Sequence, residues 1–452
     1  MSEDKMVRRL VLYTVGGSED PIFFSIQQNR PERSLFIVSA QTRATLDSLL
    51  SALEAAGIGL APGAVKIAEV ADAEDFGECV RVIAQLDREI YDWQSRGPGY
   101  EVVADLTGGT KCMSAALALI AQRWPCMFSY VAGTQRNKGG VGVVKTGSER
   151  LLLRVNPWTA LGYQALEDAL VLLGRHDYAG AQDALGHRIV TMANNGSAAA
   201  GTKRALATLQ ALCEFLALWD VFDHAKAVHA LDQKVFKNFN DLAALFPGRE
   251  GELRLRLAGL QVRLTEVLAA PRGVPIVRDL LSNARRCAER GRFDDGVARL
   301  YRVLEAAAQI RLREIHGEAE TSSFPADRLP GELSQRWAAR VDEGRIRLGL
   351  QDVYELLAES NDALAVRFRR ANLHDPHGSP LIARNHSILA HGFGAVGRKA
   401  FEQLWPACME VLSVKDSDLT EFPGPWLALV GGSPFESAGI PGSDAVSQSS
   451  PG

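Results

Sequence analysis

The sequence predicts an α/β domain followed by all-α domains, and three observations carry that prediction. Strand-length apolar runs alternate with helical periodicity from Val7 to residue 155, only helical periodicity follows Asn156-Pro157, and from Asp416 the chain turns to Pro, Gly and Ser. At 452 residues the chain exceeds one ordinary hydrophobic core. Four regions are expected: a sheet domain at 1–156, a helical connector at 157–270, a second helical domain at 271–415 and a flexible tail at 416–452.

Composition removes several function classes. Hydrophobic residues make up 46% of the chain, enough for globular cores. No apolar run reaches about 18 residues, and the opening Met-Ser-Glu-Asp-Lys lacks the basic and apolar regions of a signal peptide. A cytoplasmic protein without membrane association is expected. The six cysteines, Cys79, Cys112, Cys126, Cys213, Cys287 and Cys408, show no Cys-x-x-Cys or Cys/His spacing. That disfavours a zinc site or a disulfide framework and predicts buried thiols. A net charge of -4 means that bulk charge does not draw nucleic acid, so any RNA contact must be local. Residues 361–400 are the local exception, with Arg367, Arg369, Arg370, Arg384, Arg398 and Lys399 against Asp362 and Asp375. That segment is either a solvated basic face or an RNA-facing patch.

In chain order, Val7–Val15 reads as a strand ending at Gly16-Gly17-Ser18, with a helix starting after Pro21. Strands at Leu35–Ser39, Val65–Val70 and Val102–Leu106 alternate with helices at Thr42–Ala56 and Ala73–Trp93, which implies a parallel sheet covered on both faces. Asp105-Leu106-Thr107-Gly108-Gly109-Thr110-Lys111 then forms a strand-to-helix turn before the Ala-rich helix Cys112–Arg123. Residues 126–155 read as further strands joined by the loop Gln135–Gly140. Both glycine turns fall at the carboxyl edge of the sheet, where open α/β sheets bind ligands. Glycines admit a phosphate close to the backbone, a helix N-terminus offers free N–H groups, and Lys111 adds charge. Walker and dinucleotide spacings are both missing, which disfavours an ATPase or a dehydrogenase.

Together these turns resemble the CARF domains of CRISPR-associated effectors over roughly residues 7–155. The matching strings are Thr14-Val15-Gly16-Gly17-Ser18 with Pro21, and Asp105 to Lys111 with Met113. The resemblance implies a Rossmann-like, dimerising domain that binds cyclic oligoadenylate as an allosteric activator. By the same resemblance Gly16, Gly17, Ser18, Thr107, Gly108, Gly109, Thr110, Lys111 and Met113 would line the ligand site, and Ser39 would join them.

Helices follow at Trp158–Leu173, Tyr178–Ala193, Lys203–Trp219 and Glu252–Leu268. Gly174-Arg175-His176-Asp177-Tyr178 and Gly291-Arg292-Phe293-Asp294-Asp295 echo each other as turns of two similar helical hairpins. Ala270-Pro271-Arg272-Gly273-Val274-Pro275 breaks the periodicity and marks a boundary. Beyond it, Asp294 or Asp295 is expected to cap a helix whose stripe is Val297, Leu300, Leu304, Ala308 and Leu312, with Glu305 beside it. Pro406 within Lys399–Leu412 predicts a helix that is kinked or starts late.

Between them lies Ala383-Arg384-Asn385-His386-Ser387-Ile388-Leu389-Ala390-His391-Gly392. Ser379 and Pro380 read as N-cap and first residue and Gly392 as the stop of one three-turn helix. Arg384 and His391 are then on one face, about 10 Å apart along the axis. A fixed cation facing an imidazole that titrates near neutrality suits RNA cleavage without a metal. The string resembles the Arg-(four to six residues)-His motif of HEPN ribonucleases, and roughly 275–413 resembles the HEPN domains fused to CARF domains. The resemblance implies a homodimer with a composite cleft acting on single-stranded RNA, with Arg384, Asn385 and His391 catalytic. Glu305 is either an orienting carboxylate, as an acidic residue of the first HEPN helix often is, or a surface residue. His386 points away and is read as a packing or dimer-contact residue. Two other readings stay open: a sensor with a silent helical domain, and an enzyme that degrades its own cyclic ligand.

Overall fold

The computed structural model of the chain describes residues 8–61, 63–95, 100–124, 126–133, 147–156, 162–194, 200–317, 320–375, 379–385 and 392–430. The chain divides into two compact units, one of residues 1–164 and 191–199, the other of 165–190 and 200–452.

The first unit is built on six strands: β1 (Arg9–Thr14), β2 (Arg33–Ser39), β3 (Val65–Val70), β4 (Glu101–Asp105), β5 (Cys126–Gly133) and β6 (Glu149–Val155), in the order β3-β2-β1-β4-β5-β6. Pairing is parallel from β3 through β5, and β6 alone runs antiparallel, against β5. Leu10 to Val15 are all buried, because helices cover both faces and leave no polar side to alternate. On one face Val11, Tyr13, Phe36 and Val38 pack with Ile22 and Ile26 of α1 (Asp20–Asn29) and with Leu46 and Leu49 of α2 (Arg43–Ala55). On the other, Leu10, Leu12, Leu35 and Ile37 meet Ile83 of α3 (Phe76–Ala84) and Met113 and Leu117 of α5 (Lys111–Ile120). Each such side chain contributes roughly 1.5–3 kcal/mol by burial. The single helix expected over Ala73–Trp93 is two, α3 and α4 (Asp87–Ser95). Buried Cys79, Ile83, Leu86 and Ile90 keep helical spacing across the break, so periodicity hides it. Asp87 opens the second helix by accepting from Trp124 Nε1 at 2.8 Å. The loop Gln135–Gly140 lies outside the described residues.

The second unit is mainly helical: α6 (Tyr163–Gly174), α7 (Tyr178–Asn194), α8 (Ala200–Asp220), α9 (His224–Ala230), α10 (Phe239–Ala243), α11 (Glu250–Ala269), α12 (Val274–Glu289), α13 (Phe293–His316), α14 (Gly331–Arg336), α15 (Leu350–Glu359), α16 (Ala363–Arg370), α17 (Leu381–Asn385), α18 (Arg398–Leu412) and α19 (Gly424–Val430). A short antiparallel pair, β7 (Phe324–Pro325) and β8 (Arg345–Ile346), corrects the all-helical expectation for the last third. The two echoed turns do join helices, α6 to α7 and α12 to α13, with positive φ at His176 and Gly291 respectively. The break at 270–275 separates two helices inside this one unit. Across it, Asp220 of α8 accepts from Asn283 Nδ2 at 2.7 Å and Arg286 Nε at 2.9 Å, both on α12.

In α13, Val297, Leu300, Leu304, Ala308 and Leu312 are buried as their spacing predicts. Neither Asp294 nor Asp295 is the cap: Arg292 precedes the helix without a side-chain capping bond, and both carboxylates sit in the first turn. There they complement the helix dipole, and Asp295 pairs with Arg299 at 3.1 Å. Pro406 sits inside α18, which begins at Arg398, so the late start is excluded.

The tail reading fails for residues 416–430. Phe422 is buried between Trp219 and Tyr178, at ring distances of 5.0 and 5.5 Å, with the Arg286 guanidinium 3.9 Å from its centroid. Composition misled here because two apolar anchors, Phe422 and Leu427, outweigh the surrounding Pro and Gly. Residues 431–452 lie outside the described residues. A Cβ on Gly424 would fall 2.2 Å from the Leu173 carbonyl oxygen. Gly424→Ala is therefore expected to lower unfolding free energy by about 1–3 kcal/mol in a denaturant titration. Gly259→Ala, mid-helix in α11 with nothing within 4 Å, is expected to raise it by roughly 0.5–1 kcal/mol.

Candidate ligand and active sites

The two glycine turns come together because β1 and β4 are neighbours in parallel register, Tyr13 opposite Asp105. Thr14 Oγ1 donates to the Gly108 carbonyl at 2.6 Å, as does Ser114 Oγ at 2.8 Å. A Cβ on Gly108 would stand 2.2 Å from the Thr14 carbonyl oxygen, and one on Gly16 would stand 2.9 Å from Gly109 N. Gly109 has φ +78°, a conformation that side chains with a Cβ rarely adopt. These glycines let the turns touch. Beneath them, buried Asp105 accepts from Ser25 Oγ at 2.6 Å, from Ser129 Oγ and from Thr107 N at 2.9 Å. Burial raises its pKa, while those donors hold it down.

The ten ligand-site candidates do not all face outward. Gly17, Ser18 and Lys111 are exposed, while Gly16 and Thr107 to Thr110 are partly so. Thr110 caps α5 by accepting from Met113 N at 3.2 Å and donates to the Ala73 carbonyl at 2.5 Å. Thr107 Oγ1 accepts from Val131 N at 2.9 Å. Ser39 is buried, with its hydroxyl 3.3 Å from Thr42 Oγ1. Met113 is fully buried in the α3/α5 core, so its side chain supports the turn from below instead of facing a ligand. The exposed residues of the two turns, Gly17, Ser18 and Lys111, offer backbone, one hydroxyl and one ammonium, a set suited to an anionic ligand.

In the second unit, Ser379 Oγ accepts from Leu381 N at 3.2 Å, as expected of a residue that starts a helix. That helix is described only as Leu381–Asn385. The Asn385 side chain and residues His386 to His391 lie outside the described residues, and with them the spacing of Arg384 and His391. Arg384 is half-buried, with its guanidinium carbon 4.1 Å from the centroid of the Tyr301 ring. Tyr301 comes from α13, one turn before Glu305. Burial, aided by the Glu305 charge, raises the Tyr301 pKa against the pull of Arg384. Arg384, Tyr301 and Glu305 line one cleft of about 320 Å³, which Thr321, Ser322 and Arg347 also line. Glu305 is thus beside Arg384, and its own ion-pair partner is Arg302 at 3.3 Å.

Sequence reasoning missed Tyr301 and Arg347. Tyr301 was findable, since it lies four residues before Glu305 on the same helix face. Arg347 carried no signal, because it reaches the cleft on an irregular segment. Several cations of the 361–400 segment are occupied: Arg367 Nε donates to the Val411 carbonyl at 2.7 Å, Arg370 pairs with Glu410 at 3.1 Å, and Arg398 with Glu402 at 2.8 Å. Five of the six cysteines are buried, and Cys112 is partly exposed.

The family model for the Csm6 HEPN domain matches residues 267–415, a span holding every residue named around the cleft. The curated CRISPR system endoribonuclease Csm6 of Thermus thermophilus is 28% identical over 339 residues, covering 71% of this chain and 70% of that protein. Residues 267–415 thus resemble a Csm6 HEPN domain, and the chain as a whole is similar to a CRISPR system endoribonuclease. A solved structure of Enterococcus italicus Csm6 bound to cyclic hexa-2'-fluoro-hexa-dAMP has the same fold, with a TM-score of 0.51 at 14% identity over 94% of this chain and 98% of that one. Helices α12 through α18 fall within the span that matches the Csm6 HEPN model. Among the described residues no helix is long and apolar enough to cross a membrane.

Proposed function

We propose that this chain is an endoribonuclease of CRISPR defence that cleaves single-stranded RNA when cyclic oligoadenylate occupies its CARF domain. The observation that carries the reading is the cleft within the HEPN match, where Arg384 stands over the Tyr301 ring and Glu305 lines the same wall. The ribose 2'-OH attacks the adjacent phosphorus, and the 5'-oxygen departs as a hydroxyl. DNA lacks that nucleophile. Arg384 stabilises the charge that grows on the non-bridging oxygens, a role its bidentate fork suits. His391 transfers the proton, worth about 10²–10⁴-fold. Asn385 holds the phosphate or positions the histidine, and Glu305 sets the local field around Arg384. Tyr301 restrains the guanidinium through a cation–π contact worth roughly 0.5–2 kcal/mol.

No step in this chemistry calls for a metal, so cleavage proceeds in a chelator. Two copies of the motif in a cytoplasmic homodimer supply one composite cleft. Gly17, Ser18 and Lys111 at the sheet edge receive the phosphates of the activator, as the family likeness and the Enterococcus italicus structure's ligand suggest. The test is RNA cleavage measured with and without each ring size of cyclic oligoadenylate, following RNA and ring together. Cleavage that depends on a ring supports the proposal, while ring degradation without RNA cleavage replaces it.

A further inference from the structure

We propose that Arg347 binds a second phosphate of the RNA strand in the HEPN cleft, apart from the phosphate that reacts at Arg384. The inference rests on the ribonuclease reading and adds a substrate-binding residue to it. Arg347 and Arg384 line the same cleft of about 320 Å³, a volume at the lower end of small-ligand sites and enough for about one nucleotide.

The backbone that presents Arg347 is pinned at several points. Ile346 pairs with Phe324 in the β7–β8 ladder, and Leu348 N donates to the Thr321 carbonyl at 2.8 Å. The Arg347 carbonyl accepts from Arg340 Nη2 at 2.9 Å, and Arg340 is itself held by Asp352 at 2.6 Å. Gly349 N donates to Asp352 Oδ2 at 2.8 Å. Asp352 therefore ties the segment at Arg347, through Arg340, and again at Gly349.

The side chain itself has another standing. Arg347 is exposed, and its guanidinium forms no ion pair among the described residues. Glu305, the carboxylate of the same cleft, is engaged by Arg302 at 3.3 Å. A fixed cation on a braced backbone, facing a cleft whose acid is already occupied, is suited to an anion from outside. Thr321 and Ser322 line the same cleft, where Thr321 Oγ1 accepts from Gln309 Nε2 at 3.3 Å and Ser322 Oγ donates to Glu320. A surface arginine that serves solubility alone would need neither the bracing nor the cleft.

Three full-length proteins decide it: wild type, Arg347→Ala and Arg347→Lys, each with cyclic oligoadenylate added. KM for single-stranded RNA and its salt dependence are measured, with equilibrium binding of a 2'-O-methyl RNA that cannot be cleaved. Arg347→Ala is expected to raise KM and Kd about tenfold and to reduce the slope of log K against log salt by about 0.7, the share of one phosphate on a single strand. Its kcat is expected to stay within about threefold of wild type, since a binding contact made equally in ground and transition states leaves turnover alone. Arg347→Lys is expected to restore the salt slope. Unchanged KM and slope in Arg347→Ala overturn the proposal, as does a slope that Arg347→Lys does not recover. If wild type binds the RNA but never cleaves it, the ribonuclease reading fails; if it neither binds nor cleaves, both fail.

Discussion

Arg384→Ala is expected to lower the turnover of single-stranded RNA by about 10²–10³-fold, the usual cost of removing one preorganised electrostatic donor from a reacting oxyanion. The guanidinium is held at 4.1 Å from the Tyr301 ring centroid, and that restraint makes it a fixed charge whose reorganisation is already complete before reaction. Arg384→Lys keeps the charge but loses the planar fork and its fit to the ring, so it is expected to recover only part of the loss. Single-turnover kinetics at saturating RNA check this directly, because they isolate the chemical step from product release. Wild-type turnover in Arg384→Ala would remove the residue from the site.

The second large effect is expected at the glycine turns of the sheet edge, where two glycines should fail for different reasons. Gly108→Ala forces a methyl to within 2.2 Å of the Thr14 carbonyl, a backbone atom that moves only if the end of β1 moves. It is expected to lower thermal stability and to weaken cyclic oligoadenylate binding at least tenfold, about 1.4 kcal/mol. Gly17→Ala meets nothing within 4 Å, so the fold should keep its stability. A ligand phosphate approaching that exposed backbone would meet the methyl, and binding is expected to fall while the melting temperature stays. Calorimetric titration with cyclic oligoadenylate, paired with thermal melts, separates the two. Full affinity in Gly17→Ala would show that the ligand does not approach that turn.

Much of the architecture was legible because local chemistry announced it. The strands of the sheet read as continuous apolar runs, since both faces are covered, and Val65–Val70 matches its expected bounds. The Thr107 to Lys111 string was visible because glycine, a capping threonine and a lysine each serve a distinct need at a strand-to-helix turn. Other features escaped for physical reasons. The break between α3 and α4 is set by tertiary bonds to Asp87, which periodicity does not register. The packed stretch 416–430 was lost to its Pro and Gly content, although Phe422 anchors it between aromatic rings. Met113 reads as a motif residue but packs in the core, because a motif records what the turn needs on either side of it. Arg347 is invisible in one dimension: the hairpin of β7 and β8 brings it to the cleft, and that pairing involves strands of only two residues each.

We propose that one chain couples a ring-binding sheet edge to metal-independent RNA cleavage at Arg384 and His391. It is tested most directly by incubating the purified protein with end-labelled single-stranded RNA in excess chelator, with and without cyclic oligoadenylate, and identifying the product ends. Products bearing a 2',3'-cyclic phosphate and a 5'-hydroxyl are expected, formed faster with the ring and lost in Arg384→Ala. Products with a 5'-phosphate, cleavage abolished by the chelator, or a rate indifferent to the ring would contradict it.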